Sequence, residues 1–193
     1  MLLSGCLLAA LFTGQPAVAD VVSDVHSLVA KGDLAAALRA ADAAVQADTR
    51  DAQPRFLRAV VLMDLQRSAD ALAAFTLLSQ EYPELPEPFN NIALLQVRAG
   101  QLELARQALE TALRNDPGHR EARSNLGEVH LMLAVQAWQQ VAGSGPVDPR
   151  LQRRLDAARA LVGGGAAASR KTPPDPARLV NLGVRAQLLE TSP

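Results

Sequence analysis

Pro86-Glu87-Pro88-Phe89-Asn90-Asn91-Ile92-Ala93-Leu94-Leu95 reads as the opening of a helix, and Arg98-Ala99-Gly100-Gln101 as a reversal of the chain. Leu102 to Asn115 then reads as a second helix that stops at Asp116-Pro117-Gly118. Proline suits a first helical turn, where its missing N–H is not needed, but it cannot continue a helix interior. Pro86/Pro88 and Pro117 therefore bracket one helix-turn-helix unit, and Gly100 sits where a reversal would use positive φ.

Working outward, the unit recurs. Ala37, Ala71 and Ala105 stand 34 residues apart; Phe75 falls on Leu109, Pro83 on Pro117, Asn91 on Asn125, and Ala59 on Ala93 and Gly127. Small residues at that spacing predict helices whose axes approach closely. A helix pair of this kind exposes an apolar face that only the next pair covers. The composition agrees, with 36 Ala and 31 Leu among 193 residues and only 3% aromatics. Such a balance favours helices over sandwiches or disulfide scaffolds, which need β-branched and aromatic residues or many cysteines.

These residues resemble the tetratricopeptide repeat family, helix-turn-helix units of 34 residues. The resemblance covers about residues 20–142 and is most specific for Ala52–Leu85 and Pro86–His119. It implies an all-α, right-handed α-solenoid of about three to four units with a C-terminal capping helix. The first unit, near Val21–Asp51, keeps Gly32-Asp33, Ala37 and Ala44 but has Thr49 in place of the closing proline. In the last, Leu133-Ala134-Val135-Gln136 replaces the turn, so the segment reads as one long helix to about Val141.

Beyond it, Asp148-Pro149 predicts a cap and first turn of another helix, with Leu151, Leu155, Ala158, Leu161 and Val162 on one face and its end at Gly163-Gly164-Gly165. Residues 20–162 thus form the repeat domain with its capping helix. Residues 163–193 read as a linker and disordered tail, with Leu179 to Leu189 a modestly apolar stretch able to form a short docked helix.

Residues 1–19 read as a signal peptide. Leu2, Leu3 and Leu7 to Phe12 form an apolar run too short to span a bilayer, and Ala17-Val18-Ala19 is a cleavage signal before Asp20. No Lys or Arg precedes the run. Leu3-Ser4-Gly5-Cys6 also resembles a lipobox, which makes Cys6 a candidate for lipidation and the chain an alternative outer-membrane lipoprotein. The expectation is export to the periplasm.

Net charge is −1, so no global field attracts nucleic acid. His26, His119 and His130 fall in different units with no second ligand one helical turn away, so no metal is expected, and His130 reads as an aromatic substitute packed between helices. No phosphate-cradling loop or activated nucleophile is found, so neither a cofactor nor catalysis is expected.

What remains is a binding surface. In the family that this chain resembles, first helices line a concave groove in which an asparagine holds an extended peptide. Asn91 and Asn125 match that asparagine. The implied groove is Phe56, Val60, Asn90, Asn91, Leu94, Arg98, Asn125 and Glu128, although Phe56 and its neighbour Leu57 also suit a core, and the asparagines also suit bridges between helices. The expected function is a non-catalytic protein-protein interaction scaffold of the bacterial cell envelope, taking a protein or peptide partner. The alternative is a self-associating envelope lipoprotein anchored through Cys6.

Overall fold

A computed structural model describes residues 18–169, and the side chains of 21–162. Residues 1–17 of the predicted leader, Cys6 among them, and the stretch 170–193 lie outside the described residues, while Val18 and Ala19 open the first helix. Eight helices follow one another among those described: α1 Val18–Ala30, α2 Leu34–Ala47, α3 Ala52–Asp64, α4 Ser68–Glu81, α5 Pro86–Arg98, α6 Leu102–Asn115, α7 Arg120–Ala142 and α8 Pro149–Ser169. The period read from alanines now appears in the helix boundaries. First helices open at 18, 52, 86 and 120, and second helices at 34, 68 and 102.

The reversals repeat as well. Gly32, Gln66 and Gly100 stand in the left-handed region, at φ 77°, 61° and 73°. Each closes its helix with the same two bonds. The N–H groups of Gly32, Gln66 and Gly100 donate three residues back, to Val29, Met63 and Val97, and those of Asp33, Arg67 and Gln101 donate five back, to Leu28, Leu62 and Gln96. This is the Schellman pattern, which satisfies carbonyls that a helix end would leave orphaned. Gln66 adopts it at the steric cost that a Cβ imposes there.

Each helix pair packs on the next, with α1, α3, α5 and α7 in one row and α2, α4 and α6 behind them. Ala37, Ala59, Ala71 and Ala105 are fully buried and Ala93 nearly so, as crossing points require. Phe75 on α4 meets Phe56 on α3 edge to face, with ring centroids 5.4 Å apart, a geometry favoured by the ring quadrupoles. Successive units are also tied end to end. The Tyr82 hydroxyl donates to the Arg50 carbonyl, and Asn115 Nδ2 donates to the Pro83 carbonyl at 2.6 Å.

The period fails once, in α7. At 134, where a fourth reversal is due, the helix continues, as the replaced turn predicts. A missing glycine is not the whole reason, because Gln66 turns without one. The residues a fourth second helix would bury are also missing: Gln139, Gly143 and Pro146 stand where Ala105, Leu109 and Ala112 stand one unit earlier. Folding back would gain little apolar burial, since only Ala142 and Val147 keep the apolar character of their matches Ala108 and Leu113. Gly127 consequently departs from the expected crossing position. It is exposed, and a Cβ built there would meet nothing within 4 Å.

α8 packs against α7. Asp148 Oδ1 accepts from the Arg150 N–H at 2.8 Å as its cap, and Leu155 and Ala158 are buried. Leu161, expected on the same face, is 66% exposed, because at about 100° per residue it falls beyond Ala158 at the edge of the stripe. The backbone also runs helical through Gly163–Gly165 to Ser169, past the predicted stop. Each glycine costs only about 1 kcal/mol relative to alanine in a helix, and Ala166–Ala168 follow as strong helix formers.

Candidate functional site

The row of first helices leaves a small, shallow concavity between α5 and α7, of about 30 Å³ and open to solvent. Its walls are Ala93, Leu94 and Val97 from α5 and Asn125, Glu128, Val129 and Met132 from α7, over Leu109 of α6. These residues recur three and four apart on each helix and so share one face. The floor is apolar, and the polar atoms are confined to Asn125 and Glu128.

Asn125 is held in place. Its Nδ2 donates to Oδ1 of Asn90 at 2.9 Å, bridging α7 to α5. Asn91, its match one repeat earlier, is turned inward: its Nδ2 donates to the Glu87 carbonyl of its own helix at 2.9 Å, and the residue is 8% exposed. The two asparagines thus differ in role, the first-named bridging adjacent repeats and the second closing on its own backbone. Arg98 is exposed in the last turn of α5, where a cation opposes the negative end of the helix dipole.

Of the expected groove residues, Leu94, Asn125 and Glu128 come together here, with Asn90 directly behind Asn125. Phe56 and Val60 do not. They are 1% and 4% exposed and belong to the core formed by the first three helix pairs, as Leu57 does, because large apolar side chains at those positions gain more from burial than from solvent. Sequence reasoning missed Val97 and Met132. The signal was available in their register, one turn on from Leu94 and Glu128.

His130 is exposed and not packed between helices. His119 caps α7, its Nδ1 accepting from the Ala122 N–H at 3.2 Å, a role that spacing alone did not suggest. Among the described residues no group of three His, Cys, Asp or Glu could hold a metal ion, and no helix is long and apolar enough to cross a membrane. Electrostatic pairing lies away from the concavity. Arg55 meets Glu81 at 2.5 Å, and this hydrogen bond holds the Glu81 carboxyl below the usual carboxylate range.

A family model described as tetratricopeptide repeat matches residues 25–86 and 90–149. No curated protein matches the chain. Solved structures do. A first repeat domain of Spaghetti (RPAP3), bound to an HSP90 peptide, is 17% identical, with a TM-score of 0.56 over 65% of this chain and 99% of that one. The second repeat domain of human RPAP3, in complex with an HSP70 peptide, is 20% identical, with a TM-score of 0.52 over 57% and 92%. The Yersinia enterocolitica type III secretion chaperone SycD, in complex with a peptide of the translocator YopD, is 12% identical, with a TM-score of 0.51 over 77% and 97%. At these identities the likeness is one of fold.

Proposed function

The chain belongs to the tetratricopeptide repeat family, and from that premise we propose that it is a non-catalytic adaptor holding a segment of a protein partner between α5 and α7. The observation that carries this reading is the concavity itself, an apolar floor with one fixed amide and one carboxylate on its rim. An amide offers both a donor and an acceptor, which a peptide backbone requires. Ala93, Leu94, Val97 and Met132 suit a single apolar anchor, and Glu128 suits a basic neighbour. Three similar folds were solved with or as binders of short peptides, which supports a peptide segment as the ligand class.

Export to the cell envelope is part of the proposal, on the strength of the apolar run and Ala17-Val18-Ala19. Mass spectrometry of the mature N-terminus tests it: a chain beginning at Asp20 supports secretion, and an intact Met1 overturns it. For the groove, the test is co-purification from envelope extract. Leu94→Asp is expected to lose proteins that the parent retains, whereas Leu104→Asp, on an exposed part of α6, keeps them. Equal recovery by both variants would contradict the reading.

A further inference from the structure

Charge is divided unevenly along the stack. Residues 21–148 carry 16 acidic and 11 basic side chains, whereas residues 149–162 of α8 carry one acidic and four basic. At about 100° per residue, Arg150, Arg153, Arg154 and Leu161 fall on one face of α8, about 120° round from Leu155 and Ala158, which are buried. The three arginines are exposed, and Leu161 stands 66% exposed at the far end of their row.

Among the described residues, the guanidinium groups of Arg150, Arg153 and Arg154 make no ion pair. The carboxylates of this end are engaged elsewhere. Asp148 caps α8, and Asp156 accepts from Gln152 Nε2 at 2.9 Å and faces Arg159 at 3.9 Å. The adjoining half of α7, residues 129–142, contains no carboxylate.

We propose that this face of α8 rests on an anionic lipid surface. A guanidinium fork matches phosphate oxygens, and its long stem lets the charge stay among headgroups while Leu161 enters the boundary with the acyl chains. A planar occupant also suits the shape. α8 has one principal neighbour, α7, so its outer face is convex and has no flanking wall against which a peptide segment would be buried, as concave sites have. The acidic remainder of the stack is repelled by the same surface, which confines the contact to the α8 end. α7, one wall of the concavity, then lies one helix away from the bilayer. This contact goes beyond the adaptor reading and does not depend on it.

The test is sedimentation of the full chain, with Cys6→Ser so that no acyl chain contributes, with vesicles of phosphatidylcholine alone and of an equal mixture with phosphatidylglycerol. Stronger binding to the mixture is expected, and it should weaken as salt rises. Arg153→Gln/Arg154→Gln should lower the partition about 25-fold, since each basic side chain at an anionic leaflet strengthens association about fivefold. Leu161→Asp should weaken it as well. Arg39→Gln/Arg50→Gln, which removes the same charge from exposed positions at the other end of the stack, should leave it nearly unchanged. Circular dichroism checks that each variant keeps its helices. The proposal is overturned if the mixture binds no better than phosphatidylcholine, if either α8 variant binds like the parent, or if the two arginine pairs act alike. Retention of polyglutamate but of neither vesicle would also overturn it, assigning the face to an acidic protein segment.

Discussion

Asn125 on α7 and Asn90 on α5 share one side-chain hydrogen bond of 2.9 Å, which ties two first helices together at the rim of the concavity. Asn90 is 8% exposed, so removing its partner leaves a carboxamide with little access to water. Asn125→Ala and Asn90→Ala should each cost about 1–3 kcal/mol. Urea unfolding of both and of the double variant should show a coupling of about 1 kcal/mol. Strict additivity would mean that the pair does not act as a unit.

Gln66 occupies the left-handed position that Gly32 and Gly100 hold in the neighbouring units. A Cβ costs about 1–2 kcal/mol there, and glycine gives back part of that gain in chain entropy. Gln66→Gly should therefore raise stability by about 1 kcal/mol, and Gly100→Ala should lower it by a similar amount. Thermal unfolding of the two variants should move in opposite directions.

Gly127 lies inside α7 with open space where its Cβ would be. Gly127→Ala should stabilise the chain by about 1 kcal/mol through helix propensity alone. A loss of stability would instead indicate a close neighbour at that face. The same measurement as for Gln66 decides.

Glu81 has its carboxyl held below the usual carboxylate range, first by the side-chain hydrogen bond from Arg55. A depressed folded-state pKa adds stability above the unfolded value, near 4.3, and that stability is lost as pH falls through the folded value. The melting temperature of the parent should therefore fall below about pH 4, and Arg55→Gln should flatten part of that fall. Because Glu81 is exposed, the difference should be small and should shrink further in high salt.

The repeat was legible because its spacing rests on steric needs that leave a mark in sequence: small residues at crossings, proline after second helices and glycine at reversals. The fused α7 was legible for the same reason, in the absence of those marks at 133–136. The site was legible only in part. Leu94, Asn125 and Glu128 were found by register, but register does not say that the same face is exposed at α7 and part of the core at α3. Phe56 and Val60 were misplaced on that account. Asn91 and Asn125 look equivalent in sequence, but the position of Asn90, which partners Asn125, is held by Phe56 one repeat earlier, so Asn91 has no amide there to bridge to and turns back on Glu87.

The groove between α5 and α7 is the centre of the functional account, and site-specific photo-crosslinking in the producing cell tests it most directly. A photoreactive residue at Glu128, on the rim, is predicted to give a discrete adduct with a second protein, and one at Leu77, exposed on α4, is predicted to give none. The same adducts from both positions, or an adduct from Leu77 alone, would contradict the account.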